Sequence, residues 1–195
     1  MSTPSWRTEG PHLDARFREL LSRLREELGP QGWRKEGPSF RFFAPDGLCR
    51  IINFQKSRQN HSERLEFFIN LGVYFEKDRE VVNRRFKEYE CILRQRLNPD
   101  GPGQEWRVQP ETEELFQDLR AALTRARDWF SLFPTKEETI ESILSGEAQK
   151  NSGTIVMHYF TARLLTDMGY GDRVYAQIRD SKAPMLAELA NQIRN

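Results

Sequence analysis

Histidine is scarce in this chain: three residues in 195, at His12, His61 and His158. Each stands alone, with no HExxH string and no pair at helical spacing, so no built metal site is predicted. His61, Ser62 and Glu63 have the HxE spacing of the zinc deaminases, but no PCxxC follows and the string reads as a turn. Cysteine is scarcer still. Cys49 and Cys91 each lie in an apolar, strand-like segment without a CxxC partner. That excludes a metal knuckle or a disulfide framework and makes both small core residues. No apolar run approaches the length of a membrane span, and the first ten residues lack the apolar stretch of a secretory signal. The sequence therefore predicts a cytoplasmic protein with no membrane partner.

An excess of charge of one sign is also missing. Thirty basic residues against twenty-nine acidic ones leave a net charge of +1. No global field draws the chain to nucleic acid or anionic lipid. The most basic local run, Asn83 to Lys87, is flanked by Asp78, Glu80, Glu88 and Glu90 and reads as a solvated mixed-charge face. The phosphate-binding and nucleophile strings GxGxxG, GxxxxGKS/T and GxSxG are absent, and Gly169, Tyr170 and Gly171 read as a helix stop. No cofactor is predicted. The carboxylates Glu137, Glu138 and Glu141 belong to a solvated helix face, where they serve the dipole and ion pairs.

What is present is enough for a core: 37% hydrophobic and 11% aromatic residues with 30% charged. Residues 1–11 read as a flexible arm. Leu13, Phe17, Leu20, Leu21, Leu24 and Leu28 repeat at three and four residue steps, which predicts an amphipathic helix stopped by Gly29 and Pro30. Three β-rich runs follow, Phe40 to Phe43, Leu48 to Phe54 and Leu65 to Phe75, the first two separated by a Pro45, Asp46, Gly47 turn. Tyr89 to Leu97 reads as a fourth strand, Asp78 to Lys87 as a short helix, and Trp106 with Val108 as a brief strand or loop packing. After Pro110 the pattern is helical: a long helix with Leu115, Leu119, Leu123, Ala126, Phe130 and Phe133 buried, then one capped by Thr135 and Glu138. A helix from Thr154 to Met168 would bury Ile155, Phe160, Leu164 and Met168, and two shorter helices close the chain. The predicted class is α+β: an antiparallel sheet of about four strands packed on helices, with an all-helical C-terminal extension. The predicted division is a core over 12–109 and a helical part over 110–195 packed on it.

Three stretches in one order carry a family resemblance: Gly32-Trp33-Arg34-Lys35-Glu36-Gly37 after the leading helix, Ile52-Asn53-Phe54-Gln55-Lys56-Ser57, and Ile69-Asn70-Leu71-Gly72-Val73. With Cys91, Arg94 and Trp106 they make residues from about 13 to 108 resemble a bacterial family of unknown function. Trp33 departs from that pattern, which tends to have phenylalanine. The resemblance implies a common α+β core and no particular activity.

Alternation along the strands places Asn53 and Gln55 on one face, with Ile52, Phe54 and Lys56 on the other. Phe67, Ile69, Leu71 and Val73 make an apolar face that leaves Phe68, Asn70 and Tyr74 opposite. Asn53, Gln55 and Asn70, joined by Arg94 and Arg96 and with Lys56 at the strand end, are the candidate binding residues. Amides and guanidinium groups offer paired donors and acceptors to a planar ligand, a carboxylate or a partner's backbone. The plainer reading is that they satisfy one another. Lys56 beside Ser57 is not read as a catalytic dyad, because adjacent strand residues point to opposite faces. With no catalytic residue assigned, the favoured function is a non-catalytic binding or protein–protein interaction domain. Its partner is a protein or a small polar ligand, and by analogy with other small α+β binders the role is immunity-like. The alternative is an enzyme of unfamiliar type acting on a small anionic substrate at the same Asn/Gln/Arg-lined face.

Overall fold

The computed structural model describes residues 10–77, 85–100, 105–108 and 112–194; the side chains of residues 10–12 and 112 are not described. Residues 1–9 of the predicted arm, most of the short helix expected over Asp78 to Lys87, and part of the turn before Trp106 lie outside these residues; Gly10 and Pro11, also read as arm, instead begin a helix. Helix α1 spans Gly10–Leu28. The strands are β1 (Arg34–Glu36), β2 (Ser39–Phe43), β3 (Cys49–Lys56), β4 (Glu66–Tyr74), β5 (Leu93–Leu97) and β6 (Trp106–Arg107). They form one antiparallel sheet in the order β1-β2-β3-β4-β5, with β6 also paired to β4. Helices α2 (Thr112–Ser131), α3 (Lys136–Leu144), α4 (Glu147–Lys150), α5 (Tyr159–Leu165), α6 (Gly171–Ile178) and α7 (Pro184–Arg194) follow.

The sheet thus has six strands where about four were expected. The two additions are short. In β1 all three residues are exposed, so no apolar alternation announces it; its pairing with β2, Arg34 opposite Arg41 and Glu36 opposite Ser39, makes it a strand. Strand β6 is held by Phe67 opposite Trp106. Strand β5 begins later than predicted, because Glu88–Glu90 is a tight turn that leaves Tyr89 exposed.

The chain forms two compact units, each built from three separate segments. The first comprises 1–43, 51–71 and 96–128. Its core is α1 on the apolar side of the strands: Phe17, Leu21, Leu24, Ile52, Phe54, Ile69 and Leu71, all predicted inside, are each at most 5% exposed. Aromatic rings link the layers, Phe17 to Phe67 at 5.2 Å, Phe54 to Phe67 at 6.0 Å and Phe67 to Trp106 at 6.5 Å between centroids. Fully burying each such ring contributes on the order of 2–3 kcal/mol. Helix α2 runs beside α1, with Arg23 over the Phe116 ring and bonded to Glu113, and Arg120 bonded to Glu27.

The second unit comprises 44–50, 72–95 and 129–195. Helix α3 starts as its sequence predicts, Thr135 accepting from the Glu138 amide at 3.2 Å. Its first amide, at Lys136, donates to Asp46 at 2.6 Å, while Arg50 donates to the Phe133 and Pro134 carbonyls at 3.0 and 3.1 Å. The helix expected over Thr154 to Met168 is instead α5 alone, followed by a wide turn at Thr166–Tyr170 that Gly169 ends with φ +96°. Its buried residues are Thr161, Ala162 and Leu165; Ile155 and Phe160 are 71% and 74% exposed. The periodicity of large apolar residues put the helix in the wrong phase because two of its three buried residues, Thr161 and Ala162, are small. Just ahead of the predicted start, Ser152 and Gly153 bond to the backbone of Arg94.

Candidate recognition face

Period-two alternation puts Ile69 and Leu71 of β4 in the core of the first unit, each 0% exposed, and turns Phe68 and Asn70 to the other face. On that face Asn70, only 4% exposed, is bonded twice. Its Nδ2 donates to Gln55 Oε1 at 3.0 Å, and its Oδ1 accepts from Arg96 Nε at 3.1 Å. The Arg96 guanidinium lies 4.2 Å from the centroid of the half-buried Phe68 ring. Asn53 donates to Ser39 Oγ at 2.9 Å. A buried amide is costly to desolvate unless paired; here the pairing also fixes the geometry of the two exposed side chains, Gln55 and Arg96.

Fixing Arg96 at Nε and over a ring leaves both terminal amino groups without an acceptor among the described residues, and the Gln55 amide nitrogen likewise. The face presents nitrogen donors beside an aromatic ring. Such an array suits a carboxylate or a run of backbone carbonyls.

Three of the six residues singled out in the sequence, Gln55, Asn70 and Arg96, thus form one bonded group, with Asn53 tied to the neighbouring strand. Lys56 pairs with Asp14 of α1 and lies 5.3 Å from the Phe17 ring, as alternation requires. Arg94 donates from Nε to Glu88 at 2.6 Å. Phe68, whose ring fixes the guanidinium, was placed on this face by alternation, but nothing in a lone phenylalanine marks it as a support for arginine.

The β3–β4 connection in the same unit carries further polar chemistry. His61 and Arg64 close it with two backbone hydrogen bonds, confirming the turn. Asn60 brackets Glu66, accepting from its amide at 2.7 Å and donating to its carbonyl at 2.8 Å. The buried Glu66 carboxylate meets Arg64 at 2.8 Å and Arg107 at 3.3 Å. The Arg64 hydrogen bond, outweighing burial, holds its pKa below the usual carboxylate range. Ser57 donates to Glu105 at 3.1 Å, so with Lys56 on Asp14 the neighbours make no dyad. A cleft of about 320 Å³ lies here, lined in part by Asp14, Lys56, Ser57, His61 and Arg64. No group of three or more metal-ligating side chains occurs among the described residues, and no helix among them is long and apolar enough to cross a membrane.

Residues 24–132 match the family profile of a domain of unknown function, DUF4304. The chain belongs to this family. The DUF4304 region starts eleven residues later than the sequence resemblance and extends through α2, so all six strands and every residue of the recognition face lie inside it. No curated protein matches the chain, and no solved structure does.

Proposed function

We propose that this DUF4304 chain is a non-catalytic protein-interaction domain that engages an acidic or backbone-presenting surface of its partner through Gln55, Phe68, Asn70 and Arg96. The observation that carries the reading is the fixed Arg96: its Nε on a buried Asn70 and its plane over Phe68. A side chain held in place before binding loses little rotamer entropy on contact, and arginine and aromatic residues dominate interface energetics. Asn70 spends its amide on Gln55 and Arg96, which supports a contact surface over a set of groups arranged around a small substrate.

The test compares the full chain with Arg96→Ala and Phe68→Ala as baits in extracts of the native host, with bound proteins quantified by mass spectrometry. The expected result is one stoichiometric acidic partner retained by the parent chain. The purified partner should bind Arg96→Ala about thirtyfold more weakly, the loss typical of a central interface arginine. Equal retention by all three chains, or none by any, would remove the proposal.

A further inference from the structure

Where α1 ends, the chain turns through Gly29–Gln31 into the edge strand β1, leaving a cleft of about 440 Å³. It is lined by Arg25, Gly29, Trp33, Arg34 and Lys35. Volumes of this order fit one small molecule. Three of the five lining residues are cations, all exposed, and none has a carboxylate partner among the described residues. Of the carboxylates along this path, Glu27 is engaged by Arg120 at 3.1 Å and Glu36 by Arg41 at 3.0 Å, and Glu26 does not line the cleft. The fourth side chain, Trp33, is half-buried and packs 5.8 Å from the Phe42 ring.

A helix C-terminus ordinarily repels an anion, because its last carbonyls point outward. Here those carbonyls are covered. Gly32 N–H donates to Gly29 O at 3.0 Å, Trp33 N–H to Leu28 O at 3.4 Å, and the Gln31 side chain to Glu27 O at 3.0 Å. Gly32 takes φ +89°, and a Cβ there would stand 3.2 Å from the Phe42 ring, so glycine keeps the turn that seats Trp33. The local field at the cleft is that of three uncompensated cations beside an indole.

The geometry points to a mononucleotide site: a phosphate monoester held by Arg25 and by Lys35, which alternation puts on the Trp33 side of β1, with its planar base against Trp33 and Arg34 adding positive charge at the rim. A small ligand is favoured over a polymer because the cationic lining is confined to one cleft, and the chain's net charge of +1 supplies no wider field for a phosphate backbone.

The test titrates the full chain, at constant ionic strength, with adenosine monophosphate, adenosine, inorganic phosphate and a short single-stranded oligonucleotide, following binding by calorimetry and tryptophan fluorescence. The expected result is saturable binding of adenosine monophosphate, tighter than either adenosine or phosphate. Trp33→Ala should weaken it about tenfold while leaving phosphate unchanged. Because Trp33 also packs on Phe42, a second variant, Arg34→Gln with Lys35→Gln, alters exposed positions only and should weaken adenosine monophosphate and phosphate together. Three outcomes overturn the assignment: no saturable binding of the mononucleotide, phosphate binding as tightly as the mononucleotide, or an oligonucleotide binding far more tightly with a steep salt dependence.

Discussion

Asn70 shows how much a single buried amide organises. At 4% exposure it must be bonded, and both of its polar atoms are spent on orienting exposed neighbours, Gln55 and Arg96. Cys49 illustrates the opposite use of burial. Desolvation, with Glu76 and Asp46 adding and Lys136 opposing, pushes its thiol up to about 12, so it carries no thiolate at neutral pH and serves as packing. His158 is the residue most open to a titration test. Burial, and after it the charge of Arg94, holds its pKa below the ordinary histidine value. Since the folded state prefers the neutral ring, the stability this group contributes is complete above about pH 6.5 and is lost as the pH falls through its folded value. Urea-unfolding midpoints should therefore fall between neutral and mildly acidic pH, and His158→Gln should flatten that part of the profile. An unchanged slope in the variant would assign the dependence to other groups.

Among the elements, those with local chemistry in their favour lie where their sequence put them, and those without it do not. Helix α3 has a side-chain N-cap, Thr135 accepting from the Glu138 amide while its hydroxyl donates to the Glu138 carboxylate at 2.9 Å. Its buried face carries Ile140, Ile143 and Leu144. Thr135→Ala should cost about 1 kcal/mol, read as a lower denaturation midpoint at unchanged slope; a loss of only a few tenths would mean that the Lys136 amide bond to Asp46 holds the helix end by itself. Strand β1 has no such signal. Arg34, Lys35 and Glu36 are all exposed, as suits a sheet edge that charges protect from pairing with another chain. Helix α5 buries Thr161, Ala162 and Leu165 and exposes Phe160, so a reading weighted by large side chains misplaces its inner face.

For the whole molecule, the division into units does not follow the order of the chain. The DUF4304 match ends at residue 132, whereas the second unit takes 44–50 and 72–95 together with 129–195. Asp46 and Arg50, inside the family region, find partners at Lys136, Phe133 and Pro134, beyond it. A chain cut after Leu132 takes those partners from Asp46 and Arg50 and removes α3 to α7. It is expected to lose cooperative unfolding, measured by far-ultraviolet circular dichroism against urea. A fragment that unfolds cooperatively near the full-length midpoint would show that the first 132 residues suffice.

By itself the sequence determined the α+β class, the antiparallel runs, the leading helix, the core residues of that helix and of the strands, and the face on which Asn53, Gln55 and Asn70 lie. Those properties follow from period-two and period-3.6 alternation and from local turn and cap chemistry. Only the tertiary structure decided the rest: that charged Arg34–Glu36 is a strand, that Arg96 is fixed by Asn70 and Phe68, and that Arg25, Arg34 and Lys35 meet Trp33 at one cleft. Each depends on residues far apart in the chain, or on which of several candidate partners takes a given charge. Local periodicity contains no term for either.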